Sequence, residues 1–156
     1  MTKLAKEKKL FNGDYEAISK LNCFSTKFVS DIEEQKGYKD YRRTFQILQE
    51  IGVNKISDND CIHVAYICEV ISTRAAYLTA AGISCILSRM KKKFVTVGID
   101  GSVYRFHPKF GKVLDRKIND LLPRNLDYQL MLSEDGSGKG AALVAAVASR
   151  IKAEHQ

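Results

Sequence analysis

The stretch "LSEDGSGKGAALVAAVASR", Leu132 to Arg150, sets the reading of this chain: two acids, glycines at 136, 138 and 140 broken by Ser137 and Lys139, then an alanine-rich helix former. Glycines let a ligand approach the backbone, and the first turn of a helix is a natural seat for an anion. A Walker phosphate loop requires G-x-x-x-x-G-K-[ST], which wraps backbone N–H groups around phosphates and places a hydroxyl on magnesium. Aligned on Gly138-Lys139, the chain has Ser133 in place of the first glycine and Gly140 in place of the hydroxyl. It is no Walker loop. A plain strand-to-helix turn and a different kind of nucleotide contact remain open.

Working outward, "DYQLML" (Asp127 to Leu132) reads as a strand entering this segment. Before it, "KFGKVLDRKINDLL" places Phe110, Val113, Leu114, Ile118, Leu121 and Leu122 on one helix face, with Pro108 as a first helical residue and Pro123 as a stop. "FVTVGID" from Phe94 has the β-branched content of a short buried strand, and Asp100-Gly101 predicts a hairpin turn into "SVYRF". The turn Asp100-Gly101-Ser102 could offer successive N–H groups and a hydroxyl to a phosphate, although Asp-Gly is also the common hairpin signal. His107, before Pro108, reads as a turn or interface residue.

The first half reads as helical: "DYEAISKL" from Asp14, "STKFVSDIEEQKG" from Ser25, and "YKDYRRTFQILQEIG" from Tyr38 to Gly52, where glycine suits a left-handed cap. Residues 57 to 93 predict the longest helix, capped by Ser57 or Asp58, with apolar side chains almost all round and therefore a central position.

With 156 residues the chain fits one unit that can bury roughly 70% of its unfolded surface. A formal charge of +7 suits an anionic partner, but the excess sits in "KLAKEKK" and "RMKKK", where lysines are usually solvated or complement helix ends. No nucleic-acid role is expected. Cys23, Cys61, Cys68 and Cys85 form no CxxC pair and no zinc spacing with His63, so buried free thiols in a reducing compartment are expected. The basic N-terminal stretch lacks an apolar signal region, and no run approaches the ~20 apolar residues of a membrane span. A cytosolic location follows as an expectation.

Taken together and in order, "VGIDGSVYRFHPKF", "LSEDGSGKGAALVAAVA" and "STRAAYLTAAG", with looser support from "LFNG" and "CFSTKFVSDIE", resemble the C-terminal part of the large domain of hexokinases, the family that includes glucokinase. The resemblance implies an α/β fold: a partial actin-like (ribonuclease H-like) sugar-kinase lobe, helix-rich first, then strand, hairpin, helix, strand and helix. It implies ATP with Mg2+ as cofactor and a hexose as substrate of a full-length parent, with mitochondrial outer-membrane association open to that parent.

Residue by residue, Asp100, Gly101 and Ser102 resemble the family's second phosphate turn, and Ser137, Gly138, Lys139 and Gly140 its adenosine motif. Arg105, Lys20 and Phe24 are placed near the nucleotide by the same resemblance. At one point the chain departs from the family. Lys20, Leu21 and Asn22 stand where typical members carry Thr-Arg-Gly, and a lysine cannot reproduce a threonine hydroxyl contact. The family's catalytic carboxylate, its glycine-rich N-terminal phosphate loop and its sugar-holding Asn and Glu lie upstream of the segment resembled. Neither Asn59-Asp60 nor Asn119-Asp120 sits in that catalytic setting. An isolated chain is expected to be inactive, a non-catalytic nucleotide-binding or interaction module being the alternative.

Overall fold

The computed structural model describes residues 1–34, 40–133 and 135–154. Its elements run α1 (Thr2–Lys6), a 3-10 turn (Phe11–Gly13), α2 (Glu16–Ser19), α3 (Thr26–Glu33), α4 (Arg42–Ile51), α5 (Asp58–Met90), β1 (Phe94–Ile99), α6 (Ser102–Phe106), α7 (Phe110–Leu121), β2 (Asp127–Leu132) and α8 (Gly136–Glu154). The expected end of the helix begun at Ser25, and the expected start of the next at Tyr38, lie outside the described residues.

Helix α5 is the spine. Cys61, Val64 and Cys68 bury its first half in a core with Ala5, Leu10, Phe11, Ile18, Ile47 and Leu48. Ala76, Ala80 and Leu87 continue the same stripe into a second core with Phe110, Leu114 and Ile118 of α7. The small side chains at Ala76 and Ala80 leave room for the large ones of α7, so the two helices form the principal contact of the second half.

The expectation that α5 is covered all round is corrected. Ile62, Tyr66, Val70, Ile71, Tyr77, Leu78 and Ile86 are exposed, because the second half provides too few elements to wrap a helix of 33 residues. By length and apolar composition α5 is also long enough to cross a membrane, contrary to the expectation that no run approaches that length. Packing on the two cores accounts for the buried stripe of α5 but not for the apolar side chains on its exposed side.

Both ends of α5 follow sequence logic. Gly52 takes the left-handed conformation that closes α4, and Ser57 caps α5 through a capping box with Asp60. Asp60 does more than cap. Its carboxylate accepts from the buried backbone N–H of Phe11 at 2.8 Å and from Ser57 N–H and hydroxyl at 2.9 and 2.6 Å, tying the N-terminal turn to the spine.

Burial pushes the Asp60 carboxyl up, but the Ser57 hydroxyl and the two backbone N–H groups outweigh it, and the acid is held below its ordinary range. A depressed folded pKa means stability that is complete above the unfolded value, near pH 4, and lost as pH falls through the folded value. Asp60→Ala is expected to cost about 3 kcal/mol in urea unfolding at neutral pH, since it orphans a buried donor and removes a cap. Asp60→Asn should flatten the acid limb of the stability curve; an unchanged limb would assign acid sensitivity elsewhere.

Strands β1 and β2 pair in parallel, Phe94 opposite Asp127 through Ile99 opposite Leu132. Here the expected hairpin fails. Ser102–Phe106 is a short helix, α6, and with α7 it makes the crossover that a parallel pair demands. The Asp-Gly turn redirects the chain from strand into helix instead of reversing it, since β2 supplies the neighbour of β1. Tyr128 ties β2 to α7, its hydroxyl donating to the Asp115 carbonyl and carboxylate at 3.0 and 2.8 Å.

The strands are covered on one face only, not buried on both. Val95, Val97, Ile99, Tyr128 and Leu130 pack toward α5 and α7, while Phe94 and Met131 are exposed. In the expected α7 face, Phe110, Leu114 and Ile118 are buried and Val113 and Leu122 pack against the core, whereas Leu121 is exposed. The helix begins after Lys109 and not at Pro108.

Cys61 and Cys68 are buried, with burial pushing their thiols up to about 11 and about 12, so both are poor nucleophiles. Cys23 is partly covered and Cys85 is exposed, which corrects the expectation that all four are buried. The exposure of Cys85 follows from its place on the uncovered side of α5.

Candidate nucleotide site

Parallel strands deliver their following loops to one edge, the position where open α/β sheets bind ligands. Because β1 and β2 end in register at Ile99 and Leu132, the Asp100 turn and the glycine segment are set side by side. The Ser133 N–H extends the pairing by donating to the Ile99 carbonyl at 2.8 Å.

The two segments then meet through one side chain. Asp100 Oδ2 accepts from the Ser137 backbone N–H at 3.3 Å and from its hydroxyl at 3.4 Å. A carboxylate thereby sits on the first turn of α8, where the helix dipole favours negative charge. The two sequence motifs, 37 residues apart, are thus brought into contact.

Glycine matters at two positions here, for separate reasons. Gly101 has φ +147 and ψ 145, a conformation open essentially to glycine alone, although space around it is free. At Gly136 a Cβ would stand 2.9 Å from Ser133 Oγ, so a side chain there would require the Ser133 hydroxyl to turn away, while its 3.4 Å approach to Asp100 Oδ2 is ordinary contact. Gly101→Ala is expected to cost ~1–3 kcal/mol in urea unfolding through backbone strain, and to displace the Ser102 N–H. Full retention of both stability and nucleotide affinity would remove Gly101 from the site.

Asp100, Gly101, Ser102 and Arg105 are exposed, as are Ser137, Gly138 and Lys139, while Gly140 is half-buried. They form an open shelf and not an enclosed cavity. The Arg105 guanidinium lies 5.2 Å from the ring centroid of its neighbour Phe106. An open groove of about 1250 Å³ lies elsewhere, between Tyr41, Arg42, Phe45, Asp58 and Ile62, and is lined by none of the residues of the shelf.

Comparison with known proteins gives this shelf its context. The family model for hexokinase matches residues 1–147. The chain belongs to the hexokinase family. It is 41% identical over 148 residues to the hexokinase of Schistosoma mansoni, covering 94% of this chain and 33% of that protein. It is 40% identical to hexokinase-2 of Rattus norvegicus, over all of this chain and 17% of the relative. The solved hexokinase from Schistosoma mansoni complexed with glucose superposes with a TM-score of 0.86 over 94% of this chain and 33% of that one. The chain thus spans about a third or less of the length of these relatives.

Family membership accounts for the mixed, helix-rich architecture with its small parallel sheet as part of a sugar-kinase lobe. It does not draw every sequence candidate to one place. Lys20 follows α2 in an exposed position, and Phe24 packs edge-to-face on Phe28, 5.8 Å between centroids, against the first core. No described hydrogen bond or ion pair joins either residue to the shelf of the second core. Of the acids weighed as catalytic, Asp60 is engaged in the α5 cap, and Asp120 faces Lys117 at 3.5 Å on the exposed side of α7.

One residue was under-read in the sequence. His107 is buried, and its Nδ1 accepts from the backbone N–H groups of Lys109 and Phe110 at 3.3 and 3.1 Å, so it caps α7. The His-Pro pair just before an amphipathic helix was the available clue.

Proposed function

We propose that this chain carries the nucleotide half of a hexokinase active site, as the C-terminal portion of the large domain of such an enzyme. Gly101 and Ser102 take the ATP phosphates through their backbone N–H groups and the Ser102 hydroxyl. The Ser137–Gly140 turn presents glycine backbone to the adenosine, with Lys139 and Arg105 supplying positive charge nearby. The observation that carries the reading is the Asp100–Ser137 contact, which makes one surface of two glycine turns at the carboxyl edge of a parallel strand pair.

Magnesium fits this surface as a companion of the nucleotide. The shelf offers one carboxylate, Asp100, beside the hydroxyls of Ser102 and Ser137, and Mg2+ is ordinarily held by one or two carboxylates plus substrate phosphates. When bound with ATP it neutralises the phosphate charge. The chain's own residues bind and orient.

In the whole enzyme, the hexose 6-hydroxyl oxygen bonds to the γ-phosphorus as the bond from γ-phosphorus to the bridging oxygen breaks, ADP leaves, and the hydroxyl proton passes to a carboxylate base. Glucose is the sugar named with the Schistosoma relative. The shelf carboxylate, Asp100, accepts from Ser137 and is assigned above to magnesium, so this reading draws the base from outside the shelf. Phosphoryl transfer rests on positioning and charge stabilisation, and this chain contributes to both on the nucleotide side. A cytosolic enzyme at the entry to glycolysis is the setting this reading proposes.

Binding is the direct test. Titration with a fluorescent ATP analogue in the presence of Mg2+ should saturate, ATP and ADP should compete, and Asp100→Ala together with Ser137→Ala should weaken affinity about tenfold by uncoupling the two turns. Absence of saturable binding by the native chain would defeat the proposal.

A further inference from the structure

The seam between the two cores holds a polar cluster that the nucleotide reading does not use. The side chains of His107 and Glu33 are 2% and 3% exposed, and His107 Nε2 stands 3.4 Å from Glu33 Oε1. That contact is close but off the line a hydrogen bond needs, leaving Nε2 without one. The same Glu33 oxygen accepts from the Ser72 hydroxyl at 2.6 Å. Glu33 ends α3, Ser72 lies mid-way along α5, and His107 precedes α7, so three elements converge where apolar packing gives way. Just outside, Lys109 and Glu69 make a looser, exposed pair at 3.8 Å.

His107 is also the far end of the phosphate turn. The Arg105 N–H donates to the Gly101 carbonyl at 3.2 Å, and the His107 N–H donates to the Val103 carbonyl at 3.0 Å. Gly101 to His107 is therefore one hydrogen-bonded helical turn, tied at its start to the end of β1 and, through Asp100, to Ser137, and anchored at its far end by His107. Because Nδ1 accepts two backbone N–H groups, the ring proton belongs on Nε2, facing the carboxylate. The tautomer that caps α7 is the one that meets Glu33.

We infer that His107, bonded through Nδ1 to the start of α7 and buried against Glu33, which Ser72 in turn holds, is a positioning residue that fixes where the Asp100–Ser102 turn presents its N–H groups. The inference rests on the nucleotide reading above. A buried polar anchor is suited to this task because its geometry is directional, whereas apolar contacts tolerate sliding.

The test measures MgADP affinity with a fluorescent analogue at low protein concentration, and amide exchange over residues 103–107, in the full chain. His107→Phe keeps the bulk but loses both nitrogens, and should weaken MgADP about tenfold and speed exchange. His107→Asn keeps an acceptor near Nδ1, and Glu33→Gln keeps the acceptor for the Ser72 hydroxyl, so each should stay within about threefold of native affinity. Ile118→Val thins the same core without touching the cluster, and should lower the melting temperature while leaving affinity unchanged.

A folded His107→Phe chain that binds MgADP as the native one does overturns the inference. So does an Ile118→Val chain that loses affinity in the same proportion to its melting temperature. If His107→Phe does not fold, Ser72→Ala removes one anchor without opening the core and should weaken MgADP by about threefold; unchanged affinity there is equally fatal. If the native chain binds no MgADP, the nucleotide reading fails alone, and exchange over residues 103–107 in Ser72→Ala against native still decides the positioning role.

Discussion

Given glucose and MgATP, the 156-residue chain by itself is expected to release no glucose-dependent ADP above buffer. Adding the remaining two-thirds of the Schistosoma mansoni hexokinase as a separate polypeptide should raise turnover at least ~10³-fold, since positioning and electrostatic stabilisation together supply most of a phosphoryl-transfer rate. This expectation rests on the proposed role of the shelf, which assigns it nucleotide contacts and draws the carboxylate base from elsewhere in the enzyme.

Exposed apolar faces are available for such complementation. Tyr66, Val70, Tyr77 and Leu78 on α5, Phe94 and Met131 on the strands, and Leu143, Val144, Val147 and Ile151 on α8 are all exposed. Apolar exposure on this scale marks an interaction surface in a folded protein and an association hazard in an isolated one. A coupled assay decides the matter. Sustained glucose-dependent ADP release by the chain alone would place a base within it, and failure of the mixture to exceed either half would deny that these faces fit a hexokinase remainder.

The largest stability effect of a single change is expected at Leu114. This side chain of α7 is fully buried, in the core that also holds Ala76 and Ala80 of α5 and Val95 and Val97 of β1. Leu114→Ala leaves a cavity that those neighbours cannot fill, and should cost ~2–5 kcal/mol in urea unfolding. Leu143→Ala, on the exposed face of α8, should change stability by less than about 0.5 kcal/mol. The contrast tests the architecture itself. Equal effects at the two positions would mean that α8 is packed and that the α5–α7 contact is not the organiser of the second half.

Local chemistry was well expressed in particular residues. Gly52 closes α4 and Ser57 opens α5 because cap geometry depends on side chains within a few positions of each other. The α7 stripe of Phe110, Leu114 and Ile118 followed from helical period alone. Asp100-Gly101 was correctly read as a turn but not as to where it leads. Asp-Gly suits a hairpin as well as a strand-to-helix corner, and the choice falls to β2, about 30 residues onward. A pairing partner at that separation leaves no trace in the local pattern.

The amino-acid sequence by itself determined the caps at Gly52 and Ser57, the apolar stripe of α7, the two glycine turns, their order, and the family they resemble, since each is a matter of short-range pattern. Only the tertiary structure decided that β1 and β2 run parallel, that Asp100 reaches Ser137, and that Glu33, Ser72 and His107 meet in the dry seam between two cores. The physical reason is common to all three. Each is a contact between residues some 30 to 70 positions apart, formed because one long helix is shared by two hydrophobic cores that bring those segments to the same place.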